Sequence, residues 1–210
     1  MSTLQATTPQ KLKVACIYGG ASSENQVAIW SWENIAAALD SRLYDVSHIY
    51  ITSEGEWRGS DGAVFSFETL KQFDLALPIL HGPGGEDGVV SALCEMLHVP
   101  CTGVPFKTAA LSMDKGLSRL AAQGLGIAVV PFLQLEQWQS RESQVEEIES
   151  RFSFPCFLKP VSLGSTDGVT RVSSRLECAR ALDALFALDD RLLAEPVMDG
   201  RELEFALIGS

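Results

Sequence analysis

The chain has 210 residues, of which 46% are hydrophobic and 20% charged, so it has the composition of a folded globular protein with room for one large or two small domains. Sixteen basic and 27 acidic residues give a net charge of −11, which argues against the basic surface that wraps nucleic acid. No apolar run approaches the roughly 20 residues of a membrane span, so neither nucleic acid nor a membrane is an expected partner.

The cysteines and the N-terminus indicate a cytoplasmic protein. Residues 1–10 are polar and lack the apolar segment of a secretory signal, so we expect a loose leader there. The five cysteines are odd in number, scattered and without CxxC spacing, which favours free thiols over disulfides or a metal site. They are Cys16, Cys94, Cys101, Cys156 and Cys178.

Strands and helices alternate in the first part of the chain. Residues 13–18 form an apolar strand, Ser22 or Ser23 is a candidate cap for the helix that follows, and residues 44–52 return to strand character. This β-α-β unit predicts a parallel sheet. The next expected elements are a hairpin around Trp57, a strand over 74–80, a helix over 89–97, a short strand over 99–101, and helices over 107–112 and 114–123.

The pattern changes near the middle of the chain, and we expect two α/β domains, over residues 11–105 and 106–210. In the second domain, capping boxes at Ser143–Glu146 and Ser174–Glu177 indicate two helix starts. Strands are expected over residues 129–135, 156–159, 169–172, 192–195 and 203–208.

Two loops in the first domain follow strands, and in open α/β sheets that edge binds ligands. The loop over residues 19–24 precedes a helix whose backbone amides favour anions, and Glu24 can hold an ammonium group. The alternative is a tight Gly-Gly turn with Glu24 complementing the helix dipole. The loop His81–Gly88 is rich in glycine and carries a histidine and two carboxylates, so we expect a shared site beside the first loop.

Two segments of the second domain suit a nucleotide. Lys159 ends a strand before a Gly/Ser/Thr loop over residues 160–168, which can surround a phosphate or be a simple β-turn. The lysine precedes the glycines, so this loop is not a Walker A motif. The apolar segment 195–202, flanked by carboxylates, can edge a purine and bind ribose hydroxyls.

The order of these motifs resembles the D-alanine–D-alanine ligase family, from about Lys11 to Ser210. The resemblance implies an α/β chain with a Rossmann-like parallel-sheet N-terminal domain, followed by the first α+β lobe of a truncated ATP-grasp domain. It also implies an ATP-dependent ligation of two D-alanines through an acyl phosphate, for peptidoglycan precursor synthesis. The motifs are Gly-Gly-Ala-Ser-Ser-Glu over 19–24, His-Gly-x-x-Gly-Glu-Asp-Gly over 81–88, Met-Asp-Lys over 113–115, Lys159-Pro with Gly-Ser-Thr-x-Gly over 164–168, and the segment 195–202.

The resemblance assigns roles to the matching residues. Glu24 would hold the amino group of the first D-alanine, Ser165 would lie near it as a second catalytic residue, and His81 would bind the same substrate. Lys115 and Lys159 would contact the ATP phosphates, residues 195–198 would line the adenine pocket, and Glu202 would bind ribose. The expected ATP site comprises Lys115, Lys159, Gly164, Ser165, Thr166, Gly168, Glu195, Pro196, Val197, Met198 and Glu202.

The sequence departs from the family pattern at several positions. Asn25 and Ala28 stand where the family usually carries His or Arg and Ser, and Asp167 adds a carboxylate to the phosphate loop. The family's Mg²⁺ ligands, catalytic arginine and second ATP-grasp lobe are expected beyond Ser210, so we expect no metal ligands here and no activity from this chain alone.

The alternatives are a D-alanine–D-lactate or D-alanine–D-serine ligase, and a non-catalytic nucleotide- or amino-acid-binding module. The family also implies a homodimer through the N-terminal domain.

Overall fold

The structure, a computed structural model, describes residues 10–206, so the expected leader lies outside the described residues except for Gln10. Its contacts divide the chain into two compact units, Met1–Leu117 and Ser118–Ser210. The sequence analysis placed the domain boundary twelve residues earlier, before the helix that begins at Phe106. Gly88 lies against the backbone of Phe106, and this close contact groups that helix with the first unit.

The first unit is built on a four-stranded sheet with the order β3-β2-β1-β4. β1 is parallel to both β2 and β4, while β3 is antiparallel to β2, which confirms the predicted parallel sheet and the hairpin at Trp57. The elements are β1 Leu12–Gly19, α1 Asn25–Ala38, β2 Tyr44–Ile51, β3 Trp57–Arg58, a 3₁₀ helix Phe67–Gln72, β4 Leu75–Leu80, α2 Val89–Met96, α3 Phe106–Met113 and α4 Lys115–Gly124, which spans the point of division.

Both faces of this sheet are covered, as expected of parallel strands. Successive residues of β1 alternate between the two faces: Ile17 packs in a cluster with Val90 of α2, and Cys16 packs with Trp32 of α1. The register aligns Gly19 with Ile51 and with Leu80. The carboxyl ends of all three parallel strands therefore meet at one edge of the sheet.

The second unit has an antiparallel sheet with the order β5-β8-β6-β7. Its elements are β5 Leu133–Glu136, α5 Arg141–Phe152, β6 Cys156–Pro160, β7 Thr170–Val172, α6 Arg175–Leu185 and β8 Arg191–Pro196. Val145 and Ile148 of α5 and Leu182 of α6 pack with Leu158 and Leu192 of the sheet in one hydrophobic core. The arrangement is the α+β lobe that the sequence analysis predicted.

Of the predicted helix caps, one is confirmed and the others are wrong. Ser174 caps α6 by accepting a hydrogen bond from the backbone N–H of Glu177, as a capping box requires. α5 begins at Arg141 after Ser140, so Ser143 lies within its first turn; the buried Gln144 side chain donates to the Glu136 carbonyl and anchors this earlier start. α1 begins after Glu24; the Ser22 hydroxyl accepts from the backbone N–H of Glu24, before the helix, and donates to the His81 carbonyl.

Three predicted strands are shorter than expected. The strand over 129–135 starts only at Leu133, since Pro131 lacks the N–H that a ladder needs. The segment 99–101 forms a single bridge, Ala76 to Cys101, next to Pro100. Residues 203–206 have no strand pairing within the described part of the chain, and the remainder of the predicted strand 203–208 lies outside it. Between residues 10 and 206, no helix is both long and apolar enough to span a membrane.

Three buried cysteines should make the stability of the fold depend on alkaline pH. Burial raises the pKa of the Cys16 and Cys178 thiols to about 12 and that of Cys156 to about 11, from an ordinary value of 9.0. The folded state keeps these thiols protonated while the unfolded state ionises near pH 9, so their stabilisation is present below pH 9 and is lost as the pH rises toward 11. Above pH 9, each thiol should lower the free energy of unfolding by about 1.4 kcal/mol per pH unit.

Urea unfolding at pH 8, 9 and 10 measures this slope. Cys178→Ala, which removes one of the three thiols, should show a flatter decline of unfolding free energy with pH than the unmodified chain. Equal slopes for the two proteins would contradict the assignment.

Candidate functional site

The two loops predicted to share a site do lie side by side at the carboxyl edge of the first sheet. The Ser22 hydroxyl of the first loop donates a hydrogen bond of 2.8 Å to the His81 carbonyl of the second. Gly82 lies directly under the Glu24 carboxylate, because a Cβ at Gly82 would be 2.6 Å from Glu24 Oε2. The structure therefore brings Glu24 and the backbone next to His81 together, as predicted.

The Asn25 side chain, which the sequence analysis treated only as a departure from the family pattern, stabilises the first loop. Asn25 Nδ2 donates to the carbonyl of Gly20 at 2.6 Å and to that of Ile51 at 3.3 Å, and the Tyr50 hydroxyl donates to Asn25 Oδ1 at 3.4 Å. Gly19 turns at a φ of +94°, where a Cβ would overlap the Ile51 carbonyl. These contacts fix the turn that leads into Glu24.

Neighbouring polar groups hold the His81 ring. Its Nε2 is 3.1 Å from the Ser31 hydroxyl on α1, and its Nδ1 is 3.8 Å from Glu86 Oε1. Asp87 organises the rest of the loop by accepting hydrogen bonds from the backbone N–H groups of Gly84 and Val89. His81 thus has a defined orientation and a side chain that is still 32% exposed.

Two cavities of the first unit differ in their relation to these loops. One of about 190 Å³ is lined by residues of both loops, Gly20 and Ala21 of the first and His81 of the second, although Glu24 is not in its lining. Its volume equals that of roughly six water molecules, which suits a small amino acid. A larger and more open groove of about 760 Å³ runs along β2 and β3 but is lined by none of the predicted site residues, so the smaller cavity is the candidate site.

In the second unit, one sheet face forms the hydrophobic core and the other carries charge. Cross-strand neighbours share a face, and Phe157 lies opposite Glu195 while Lys159 lies opposite Leu193. Lys159 and Glu195 are therefore diagonal neighbours on the charged face. Lys159 Nζ is 2.6 Å from Glu195 Oε2, in an ion pair whose carboxylate side chain is only 5% exposed.

Arg119 is the functional candidate that sequence reasoning missed. It lies on α4, and its guanidinium forms a second ion pair with Glu195, through Oε1. The guanidinium also lies 5.7 Å from the centre of the Phe132 ring. Residues 119 and 195 are far apart in sequence and Arg119 belongs to none of the motifs, so no sequence signal pointed to this pair.

The predicted phosphate loop contains a tight turn in an uncommon conformation. The backbone N–H of Asp167 donates to the Gly164 carbonyl at 2.9 Å, and between them Ser165 and Thr166 have φ values of +48° and +66°. Two positive φ values in succession define a type I′ turn, which is strained for residues other than Gly, Asn and Asp. The side chains of Ser165, Thr166 and Asp167 are exposed.

The other predicted ATP-site residues lie in α4 and in the segment after β8. Lys115 begins α4, where the buried Asp114 carboxylate accepts a hydrogen bond from the backbone N–H of Leu117. After Pro196 the chain leaves the sheet with Val197, Met198 and Glu202 exposed. Gly168 packs against Pro160 at the base of the loop. Within residues 10–206 no group of three or more His, Cys, Asp or Glu side chains is arranged to hold a metal ion.

Comparisons with known proteins agree with these motifs. Family models described as "D-ala D-ala ligase N-terminus" and "D-ala D-ala ligase C-terminus" match residues 13–69 and 121–210. A "D-alanine--D-alanine ligase" of Chlorobium luteolum is 35% identical over 94% of this chain, and one of Chloroherpeton thalassium is 32% identical over 95%. The chain belongs to the D-alanine–D-alanine ligase family. It spans 64–65% of the length of these two relatives.

Solved structures of ligases have the same fold as this member of the D-alanine–D-alanine ligase family. The "VanG D-Ala:D-Ser Ligase from Enterococcus faecalis" aligns with a TM-score of 0.81 and 28% identity, covering 91% of this chain and 64% of that one. A D-alanine–D-alanine ligase from Bacillus anthracis "complexed with ATP" aligns with a TM-score of 0.73 and 27% identity, covering 90% and 60%. D-alanine ligases have an ATP-grasp fold, which confirms the predicted fold class.

Proposed function

We propose that the protein is an ATP-dependent D-alanine–D-alanine ligase. The observation that carries this proposal is the meeting of the Glu24 and His81 loops at the carboxyl edge of the parallel sheet. A cavity of about 190 Å³ beside them is lined by Gly20, Ala21 and His81. Such an edge is where open α/β sheets bind small ligands. The Glu24 carboxylate suits the ammonium group of the first D-alanine, and the His81 ring would lie beside the same molecule.

The second unit would bind the nucleotide. Lys159 and the turn Gly164–Gly168 offer an ammonium group, backbone amides and two hydroxyls to phosphates, and Lys115 would add a second cation. The segment from Glu195 to Met198 would border adenine and Glu202 the ribose. Ser165 would lie near the first D-alanine. Binding of this kind provides orientation and charge neutralisation, which are the main contributions a protein makes to phosphoryl transfer.

The proposed reaction has two chemical steps. In the first, the carboxylate of one D-alanine attacks the γ-phosphorus of ATP, the bond to the ADP oxygen breaks, and an acyl phosphate forms. In the second, the amine of another D-alanine attacks the acyl carbon, a proton leaves the nitrogen, and phosphate departs as the peptide bond forms. The described residues have no cluster that fits the Mg²⁺ implied by the family, so no step here is assigned to a metal.

Product analysis tests the proposed function directly. Protein made from the full natural reading frame that contains these residues should release phosphate from ATP with D-alanine but not with L-alanine, and mass spectrometry should detect D-alanyl-D-alanine. One solved neighbour is a D-Ala:D-Ser ligase. Parallel reactions with D-alanine plus D-serine or D-lactate therefore decide between the acceptors. If no phosphate is released with any of these substrates, the alternative of a non-catalytic binding module is supported.

Gly82→Ala should raise the KM for D-alanine, because the new Cβ and the Glu24 carboxylate cannot occupy the same space. Loss of one charge-assisted hydrogen bond predicts an increase of roughly tenfold or more. Gly84→Ala is a matched control: Gly84 also has a positive φ, of +83° against +67° for Gly82, but no atom lies within 4 Å of the added Cβ. Steady-state kinetics should show a near-normal KM for Gly84→Ala, and equal KM values for the two variants would contradict the assigned position of Glu24.

We further propose a cytoplasmic location, where ATP is available and the five free cysteines stay reduced, and a role in making peptidoglycan precursors. The homodimer implied by the resemblance stays a prediction.

A further inference from the structure

The cluster of Arg119, Lys159 and Glu195 carries an excess of positive charge. Glu195 is a buried residue, 3% exposed, and its two carboxylate oxygens face different cations, Arg119 at Oε1 and Lys159 at Oε2. One negative and two positive side chains give this cluster a net charge of +1. A largely buried cluster with unbalanced charge is stabilised when an ion of the opposite sign approaches it.

We propose that Arg119 is a positioning residue that keeps the Lys159 charge available to a phosphate ligand. If Arg119 were absent, Glu195 and Lys159 would form a closed pair with no net charge, and their attraction for an anion would be weak. With Arg119 present, the carboxylate is shared, and the ammonium group of Lys159 is only partly neutralised. This inference rests on the proposed ATP site and adds to it a residue that lies outside every motif.

The geometry allows an anion to reach the cluster. The side chains of Arg119 and Lys159 are 20% and 24% exposed, so both cations keep contact with solvent while Glu195 does not. An ammonium group has three N–H donors, of which the ion pair with Glu195 needs one. The Phe132 ring, 5.7 Å from the Arg119 guanidinium, adds a cation–π contact that helps to hold the guanidinium over the carboxylate.

Variants of the 210-residue chain can be ranked by the net charge of the cluster of Arg119, Glu195 and Lys159. The net charge of the cluster is +1 in the unmodified chain and in Arg119→Lys, 0 in Arg119→Met, +2 in Glu195→Gln, and +1 again in Arg119→Met combined with Glu195→Gln. Inorganic tripolyphosphate is the probe, because it carries the phosphates of ATP without the adenine that Glu195 would border. Arg175→Met is the control, because it also removes one positive charge. Arg175, at the start of α6, forms an exposed ion pair with Glu149 of α5.

Tripolyphosphate affinity, measured by isothermal titration at low ionic strength, should follow the charge. Arg119→Met should weaken binding roughly tenfold, since one unit charge a few ångströms from an anion has an effect of that order in partly screened surroundings. Adding Glu195→Gln to Arg119→Met should restore the affinity, and Glu195→Gln alone should tighten binding. Arg119→Lys and Arg175→Met should bind as the unmodified chain does. A purely structural role for Arg119 predicts no restoration, because the second substitution removes another contact.

Unchanged binding by Arg119→Met, or a folded double variant that binds as weakly as Arg119→Met, would overturn the inference. If circular dichroism shows that Arg119→Met does not fold, Glu195→Gln and Arg119→Lys are the test variants. The inference is then overturned if Glu195→Gln does not bind tripolyphosphate more tightly than the unmodified chain. ATP titrated in parallel separates this inference from the proposed function. If the unmodified chain binds ATP and tripolyphosphate but the variants do not follow charge, only the role of Arg119 is lost. If it binds neither, the proposed nucleotide site is lost as well.

Discussion

Lys159→Ala should abolish nucleotide turnover in protein made from the full natural reading frame, while leaving the fold intact. Lys159 is the last residue but one of β6, which leads into the turn Gly164–Gly168, and there it would neutralise phosphate charge in the transition state. A single cation can contribute about 10³–10⁵ in rate to phosphoryl transfer, so a loss of at least about 10³ in kcat is expected. The fold should survive because Lys159 lies on the sheet face opposite the hydrophobic core, and Glu195 keeps its ion pair with Arg119.

Phosphate release with ATP and D-alanine measures the loss, and urea unfolding checks the fold. Lys71→Ala is a suitable control, since Lys71 forms a surface ion pair with Glu68 in the first unit. Its turnover should be unchanged. Normal turnover by Lys159→Ala would show that the lysine does not act on the phosphates.

The 210-residue polypeptide, expressed by itself, should show no D-alanine-dependent ATP hydrolysis. An ATP-grasp ligase, as the family resemblance implies, clamps the nucleotide between two lobes, and residues 118–206 form one α+β lobe. Glu195 is already paired with two cations, Lys159 and Arg119. The family resemblance implies Mg²⁺ ligands and a catalytic arginine outside these residues, and one arginine alone can contribute about 10³–10⁵ in rate, so turnover lower by many orders of magnitude is expected.

The purified polypeptide with Mg²⁺, ATP and D-alanine provides the assay, and the same protein made from the full natural reading frame provides the positive control. Turnover by the 210 residues on the order of 1 s⁻¹ or more, the range of ordinary enzymes, would mean that no further segment is needed. Weak nucleotide binding by the polypeptide is compatible with the prediction, because the proposed phosphate-binding residues around Lys159 belong to it.

Local patterns in the sequence were sufficient for most of the fold. The β-α-β unit follows from hydrophobic periodicity, and the cap at Ser174 follows from residues three positions apart. The meeting of the Glu24 and His81 loops could be predicted because the carboxyl ends of parallel strands share an edge. The positions within these loops that need glycine could not, because they depend on atoms from other strands, such as the Ile51 carbonyl beside Gly19.

The errors arose where tertiary contacts outweigh a local signal. Ser143 and Glu146 have the spacing of a capping box, yet the buried hydrogen bond from Gln144 to the Glu136 carbonyl starts the helix earlier. The assignment of Glu195 to the adenine pocket stays a prediction, and the sequence analysis did not foresee that its carboxylate pairs with Lys159 and Arg119. Long-range side-chain pairs of this kind leave no periodic trace in the sequence.

The position of Glu195 in the middle of the sheet also has a consequence for strand alignment. β8 lies between β5 and β6, and its residues alternate between the hydrophobic core and the charged face. A slip of β8 by one residue would exchange the two faces and move the carboxylate into the layer formed by Leu158, Val145 and Leu182, away from both cations. An unpaired carboxylate in that layer would be strongly unfavourable. The ion pairs of Glu195 therefore also select a single register for β8 during folding, which its three leucine and alanine residues, Leu192, Leu193 and Ala194, could not do alone.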